Sequence, residues 1–354
     1  MATFKTARVR VWMTLAISAL TIGGLLIPAS GASAAPAGQL DEVRSVTYPG
    51  GGFYITDYIA EKKGFFAEEG LNVKFIKPQS GVTAIQMMAS GEIAFMINDG
   101  LLTMLAQSKG LGVTIIGSML NRSLWTLYTS DKNVDLASTA KTNPKGLKAL
   151  KGKTIGVTGI NAGTDLNVQS VLAAHGLDPN KDVKRIGIGL LTAAVGQFSN
   201  GGIDAYAYYG PPADEMLAKD KLAHRFYSGN ESDSPIANII QGGMVASTKW
   251  LNTGNNRDIA RRWIAAQEKT INWLKDPKNL EEASILFAAA SGGTPEGGAK
   301  AIQEIVETVY PHNLKGLKVP RSDFAKTAAQ LEKLGLLSGK AQSYDEAVDK
   351  MGRE

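Results

Sequence analysis

The supply of catalytic side chains in this sequence is thin. Three histidines, His175, His224 and His312, are scattered without metal-ligand spacing, and there is no cysteine. His175 stands before Gly176 at a helix end, where a cation complements the dipole. The missing thiol removes a cysteine nucleophile, thiolate metal sites and a lipid-modified N-terminal cysteine. Gly146-Leu147-Lys148-Ala149-Leu150-Lys151-Gly152-Lys153-Thr154 resembles a phosphate loop, but five residues separate its glycines where four are required, and it precedes a strand. Gly187-Ile188-Gly189-Leu190-Leu191-Thr192 lacks the third glycine of a dinucleotide fingerprint. There is neither a Gly-x-Ser-x-Gly elbow nor a His-Glu-x-x-His pair. No catalytic residue, metal site or cofactor is expected.

Groups suited to holding a small molecule are plentiful, and they fall in six loops. These are Pro49 to Tyr54, Gln79 to Thr83, Asn98-Asp99-Gly100, Thr158 to Thr164, Gly189 to Thr192 and Tyr208 to Pro212. All are rich in glycine, hydroxyl or aromatic residues, and none carries Arg or Lys. Two of them open helices, at Ser80-Gly81-Val82-Thr83 and Asn161-Ala162-Gly163-Thr164, where backbone N–H groups and the dipole can bind a carboxylate or sulfonate. Simple N-capping is the competing explanation. Tyr48, Phe53, Tyr54, Trp125, Tyr208 and Tyr209 cluster around these loops and supply apolar walls of the kind that line ligand pockets; core packing is the competing reading, stronger for Tyr48 and Tyr206 inside strands. The expected contacts are Phe53, Tyr54, Ser80, Gly81, Thr83, Asn98, Asp99, Trp125, Asn161, Thr164 and Tyr209. Without a cationic clamp, the loops suit a monoanion or a polar heterocycle better than a phosphate. Arg122 is the nearby cation, and its reading is a solvated surface charge.

The elements that must position these loops follow from hydrophobic period. Ser45–Tyr48, Val73–Lys77, Ile93–Ile97 and Val113–Ser118 read as strands, with helices over Ile55–Lys63, Val82–Ser90 and Leu101–Ser108 between them. That order implies a mostly parallel sheet, and open sheets place ligands beyond their carboxyl ends. Gly64, Gly70 and Gly91 mark helix and turn stops. A second series follows, with strands at Lys153–Thr158, Val183–Ile188 and Ile203–Tyr208 and helices at Thr164–His175, Thr192–Asn200 and Pro212–Ala218. After a strand-like Met244–Ser247 come five helical segments, over Asp258–Leu274, Leu280–Ala290, Lys300–Val309, Asp323–Leu334 and Tyr344–Met351.

The class is therefore α/β, with two lobes joined by two crossovers near Leu124–Thr129 and Gly243–Ser247, and C-terminal helices packed on the first lobe. Lobe I comprises residues 40–128 plus 245–354, and lobe II residues 129–244. Residues 1–34 read as a secretory signal peptide: Lys5, Arg8 and Arg10 precede an uncharged run to Ile27, and Ala32-Ser33-Ala34 fits a cleavage site. Its removal takes the formal charge from +5 to 5 − 3 = +2, which leaves no basic stripe for nucleic acid.

The segments Ile59 to Val73, with Gly64-Phe65-Phe66 at their centre, Ser90 to Phe95, Leu150 to Val157 and Gly202-Ile203-Asp204-Ala205 are similar to the periplasmic binding proteins for sulfonates, taurine, nitrate and thiamine-pyrimidine precursors. Ala94 stands where that family often has Asp. The resemblance implies the type II periplasmic binding protein fold, closing on its ligand by a hinge. It implies a periplasmic monomer that captures a sulfonate, a carboxylate or a pyrimidine-like heterocycle for an ABC permease and ATPase. A ligand-sensing protein serving a receptor is the alternative. The same family includes pyrimidine synthases that consume an internal histidine and use iron. Those rely on a Cys-rich segment absent here, so a protein without enzymatic activity is expected.

Overall fold

The computed structural model describes residues 39–48, 51–120, 122–130, 144–218, 221–310, 317–337 and 342–354. The expected signal peptide, Pro49-Gly50 and His312 lie outside them. Among the described residues, ten strands form two five-stranded sheets. They are β1 Asp41–Val46, β2 Leu71–Ile76, β3 Phe95–Asn98, β4 Val113–Ser118, β5 Trp125–Thr129, β6 Thr154–Val157, β7 Lys184–Gly187, β8 Ala205–Tyr209, β9 His224–Ser228 and β10 Gly243–Ser247. Lobe I is built on the order β2-β1-β3-β10-β4 and lobe II on β7-β6-β8-β5-β9.

Both sheets are mixed but mostly parallel, as expected: in each, four of the five strands point the same way and one is reversed. In lobe I, β1 runs parallel to β2 and β3, and β10 runs antiparallel to β3 and β4. In lobe II, β6 runs parallel to β7 and β8, and β5 runs antiparallel to β8 and β9. The odd strand in each sheet is the first one after the chain enters that lobe. It starts at the crossover, so it runs away from the cleft toward which the parallel strands point.

Two elements correct the sequence reading. Trp125–Thr129, taken as a crossover, is a full strand with all five residues buried. A short run buried on both faces shows no alternation, and its period identifies neither strand nor linker. His224–Ser228 was not foreseen as a strand at all. The chain passes from one sheet to the other between β4 and β5 and back between β9 and β10.

The helix grammar of the first lobe is sharp. Ile55–Lys63 stops at Gly64 (φ 76°) and Gly81–Ser90 at Gly91 (φ 85°). Both are left-handed caps that a Cβ would penalise. Of the later helices, Asn256–Lys275 and Leu280–Ser291 pack on Ile55–Lys63, and Arg321–Lys333 packs on Gly100–Ser108. Pro295–Thr308 also meets Pro212–Ala218 of lobe II. There Arg225 of β9 donates to Glu304 at 2.7 and 3.0 Å and pairs with Asp214.

Candidate ligand-binding cleft

A cavity of about 60 Å³ lies between the lobes, lined by residues at the carboxyl ends of β1, β3, β6 and β8. On the same measure one water needs about 10–15 Å³, so the space holds roughly four to six waters, or one small ring. Among the described residues, none lining it is charged.

Its apolar walls come from both lobes. Phe53 and Tyr209 face each other with ring centroids 4.2 Å apart, and Tyr48 meets Tyr54 edge-on at 5.3 Å. The Tyr54 hydroxyl donates to the Ile97 carbonyl at 2.6 Å, which fixes the ring against the end of β3. Glycines admit these rings. A Cβ on Gly51 would stand 3.2 Å from the Tyr54 ring, and one on Gly52 3.1 Å from the Tyr209 carbonyl. Polar groups are few. Asn98 donates to Thr103 at 2.9 Å, and a Cβ at Gly81 would lie 3.8 Å from its Oδ1. Burial pushes the phenols of Tyr48, Tyr54, Tyr208 and Tyr209 up, so they remain protonated donors at neutral pH.

Of the expected contacts, Phe53, Tyr54, Ser80, Gly81, Asn98 and Tyr209 line the cavity. The other five do not. Thr83 is taken up in capping: its N–H donates to Ser80 Oγ at 3.2 Å, and the two hydroxyls lie 3.1 Å apart. Trp125 is fully buried within the lobe II sheet, its indole N–H donating to the Thr164 carbonyl at 3.2 Å. Thr164 is likewise buried, its hydroxyl accepting from the Thr158 N–H at 3.0 Å. Asn161 is exposed at φ 61°, with its N–H on the buried Asp165 carboxylate at 2.8 Å. Arg122 donates to the Asn230 carbonyl at 2.9 Å and does not line the cavity.

Asp99 departs furthest from its expected role. Its Oδ1 accepts from the Leu101 N–H at 2.8 Å. Its Oδ2 accepts from Asn167 at 2.7 Å, Gln241 at 3.0 Å and the Tyr209 hydroxyl at 3.1 Å. Burial pushes its carboxyl up to about 7, against the lowering effect of these donors.

Tyr208, Thr158, Gly163 and Leu190 also line the cavity; they lie in the loops singled out from the sequence but were not among the expected contacts, and Tyr48, for which core packing was the stronger reading, lines it too. Tyr48 lies just past the carboxyl end of β1 and Tyr208 at that of β8, and this position was the available signal.

The family profile described as NMT1/THI5 like matches residues 54–279. The chain belongs to the NMT1/THI5-like family. An Aspergillus parasiticus relative named 4-amino-5-hydroxymethyl-2-methylpyrimidine phosphate synthase is 29% identical over 297 residues, 80% of each chain. A formylaminopyrimidine-binding protein of Halalkalibacterium halodurans is 30% identical over 120 residues, covering 34% of this chain and 33% of that protein. Among solved structures, the periplasmic nitrate-binding protein NrtA from Synechocystis PCC 6803 superposes with a TM-score of 0.68 at 15% identity, over 90% of this chain and 88% of its own. This is the periplasmic binding protein fold, and with it the family resemblance drawn from Ile59 to Val73 holds.

One expectation is overturned by these relatives. The family member from Aspergillus is named as a synthase, so membership does not support a protein without enzymatic activity. Among the described residues there is no group of three or more His, Asp or Glu suited to a metal ion. His175 is tied by Nδ1 to the Val171 carbonyl at 2.7 Å, its ring against Tyr227. No helix among the described residues is long and apolar enough to cross a membrane.

Proposed function

We propose that this NMT1/THI5-like chain captures a small, uncharged pyrimidine-like heterocycle between its lobes by hinge closure, as the periplasmic binding component of an ABC importer. The observation that carries this reading is the cavity itself: about 60 Å³, walled by Phe53, Tyr54 and Tyr209, with no charged lining residue among those described. A planar ring fills such a slot and uses its apolar faces. A sulfonate or carboxylate would find only the helix N-termini at Gly81 and Gly163, and no cation among the described lining residues, to offset its desolvation. The names of the two relatives, a pyrimidine phosphate synthase and a formylaminopyrimidine-binding protein, favour the same class. Residues 1–34 fit a signal for export to the periplasm.

The synthase names favour a second reading, in which the same slot holds a pyrimidine as product. The two differ in outcome: a binding component returns its ligand chemically unchanged, whereas a synthase releases a pyrimidine phosphate that was not supplied.

Melting temperatures measured against a panel of methylaminopyrimidines, alkanesulfonates, nitrate and aromatic carboxylates test the ligand class. A pyrimidine at about 100 times its Kd stabilises by about 2.7 kcal/mol, a shift of several degrees, while the anions shift little. A larger shift with a sulfonate or nitrate than with any pyrimidine would remove this reading.

A further inference from the structure

We propose that Asp99 is a positioning residue that clasps the two lobes over the ligand without touching the ligand itself. The proposal rests on the reading of the cleft as a hinge-closing pyrimidine site, and its support is the donor shell of this one carboxylate.

Asp99 caps the helix Gly100–Ser108 of lobe I and is 1% exposed. Four donors reach its two oxygens: Leu101 of its own helix on Oδ1, and Asn167 and Tyr209 of lobe II with Gln241 of the segment returning to lobe I on Oδ2. The carboxyl is engaged by the protein itself, and Asp99 is absent from the cavity lining. The shell closes on itself. Gln241 also donates to Asn167 Oδ1 at 3.0 Å, and Asn167 to the Gly163 carbonyl at 2.8 Å. Asn167 and Gln241 are both fully buried.

Tyr209 couples this shell to the cavity. Its hydroxyl is on Asp99 and its ring is against Phe53, so one side chain serves both the clasp and the wall. A ligand packed on that ring favours the rotamer the clasp requires, and the clasp holds the wall the ligand requires. Closure and capture are then a single two-state event, in which the ligand contributes through its preference for the closed state.

Asp99→Asn keeps the side-chain shape but turns one acceptor oxygen into a donor among donors. The radius of gyration by small-angle X-ray scattering, ligand-free or with saturating 4-amino-5-hydroxymethyl-2-methylpyrimidine, is expected to exceed that of the wild type. The dissociation rate of this probe rises about ten-fold or more, and its association rate stays about the same. Tyr209→Phe, which keeps the ring on Phe53 and loses one donor, gives a smaller change in the same direction and secures the test if the asparagine variant folds poorly. In the double variant the Tyr209 change adds little, the mark of a shared interaction. Unchanged radius and dissociation rate in both single variants would overturn the clasp while leaving pyrimidine capture standing. A wild type that binds no pyrimidine overturns the ligand reading instead, and a radius that Asp99→Asn leaves unchanged then overturns the clasp by itself.

Discussion

Gly163→Ala lowers ligand affinity by roughly 5- to 150-fold, the equivalent of about 1–3 kcal/mol of overpacking at the lobe interface. A Cβ there would stand 2.6 Å from the Cβ of Asp99 and 2.4 Å from the Tyr209 hydroxyl. The hydroxyl can swing away, but the Asp99 Cβ can move only with its helix, so the lobes themselves must part. Within lobe II the one group in the way is the Tyr209 hydroxyl, the far end of a side chain, and the helix itself favours the change. Gly163 is the first residue of the helix Gly163–Ala174, and alanine is the better helix former. The lobes therefore stay folded, and only closure suffers. Titration calorimetry beside thermal melting separates the two effects: affinity falls, while the ligand-free melting temperature moves by no more than a few degrees. Wild-type affinity in Gly163→Ala would mean that the binding state is not this closed one.

The second large effect is a fall in stability with rising pH, centred on Asp57. This residue is fully buried where Ile55–Lys63 meets Asn256–Lys275. Gln267 donates to its Oδ1 at 2.5 Å, while its Oδ2 and the Gln267 Oε1 have no partner. Burial pushes the carboxyl up to about 8, outweighing the Gln267 hydrogen bond, with Glu61 adding to the rise. The sign follows from proton binding. Between the ordinary 3.8 and about 8 the folded state holds a proton that the unfolded state has released, so stability falls as pH rises through that window. The contribution is on the order of 5 kcal/mol, at about 1.36 kcal/mol per unit. Asp99, raised to about 7, acts in the same direction. Asp57→Asn carries no charge and can offer an N–H to the orphaned Gln267 oxygen. It is expected to match the wild type near pH 4 and to exceed it by several kcal/mol near pH 8.5 in urea unfolding. Parallel stability curves for the two proteins across that range would remove Asp57 as the cause.

Most of the fold was legible because its signals are local. Gly64 and Gly91 end helices at positive φ, and the apolar runs between them fall at strand and helix period. The strand Trp125–Thr129 was not legible, since a run buried on both faces carries no period. The antiparallel direction of β5 and β10 follows from the chain crossing between lobes, which no local pattern encodes. At the site, the loops rich in glycine and aromatics drew attention to Phe53, Tyr54 and Tyr209, which do line the cavity. The roles of Asp99 and Trp125 depended on partners far along the chain: Asn167 and Gln241 for Asp99, 68 and 142 residues away, and Thr164 for Trp125, 39 residues away. A polar residue beside a cleft looks the same in sequence whether it meets a ligand or another part of the protein.

The most direct test of capture by closure is a crystal structure of the protein grown with 4-amino-5-hydroxymethyl-2-methylpyrimidine. The account predicts one ring in the cavity, bounded by Phe53 and Tyr54 of lobe I and Tyr209 of lobe II, with Asp99 still on Tyr209 and Asn167. A pyrimidine bound to one lobe alone, or outside this cavity, would contradict it.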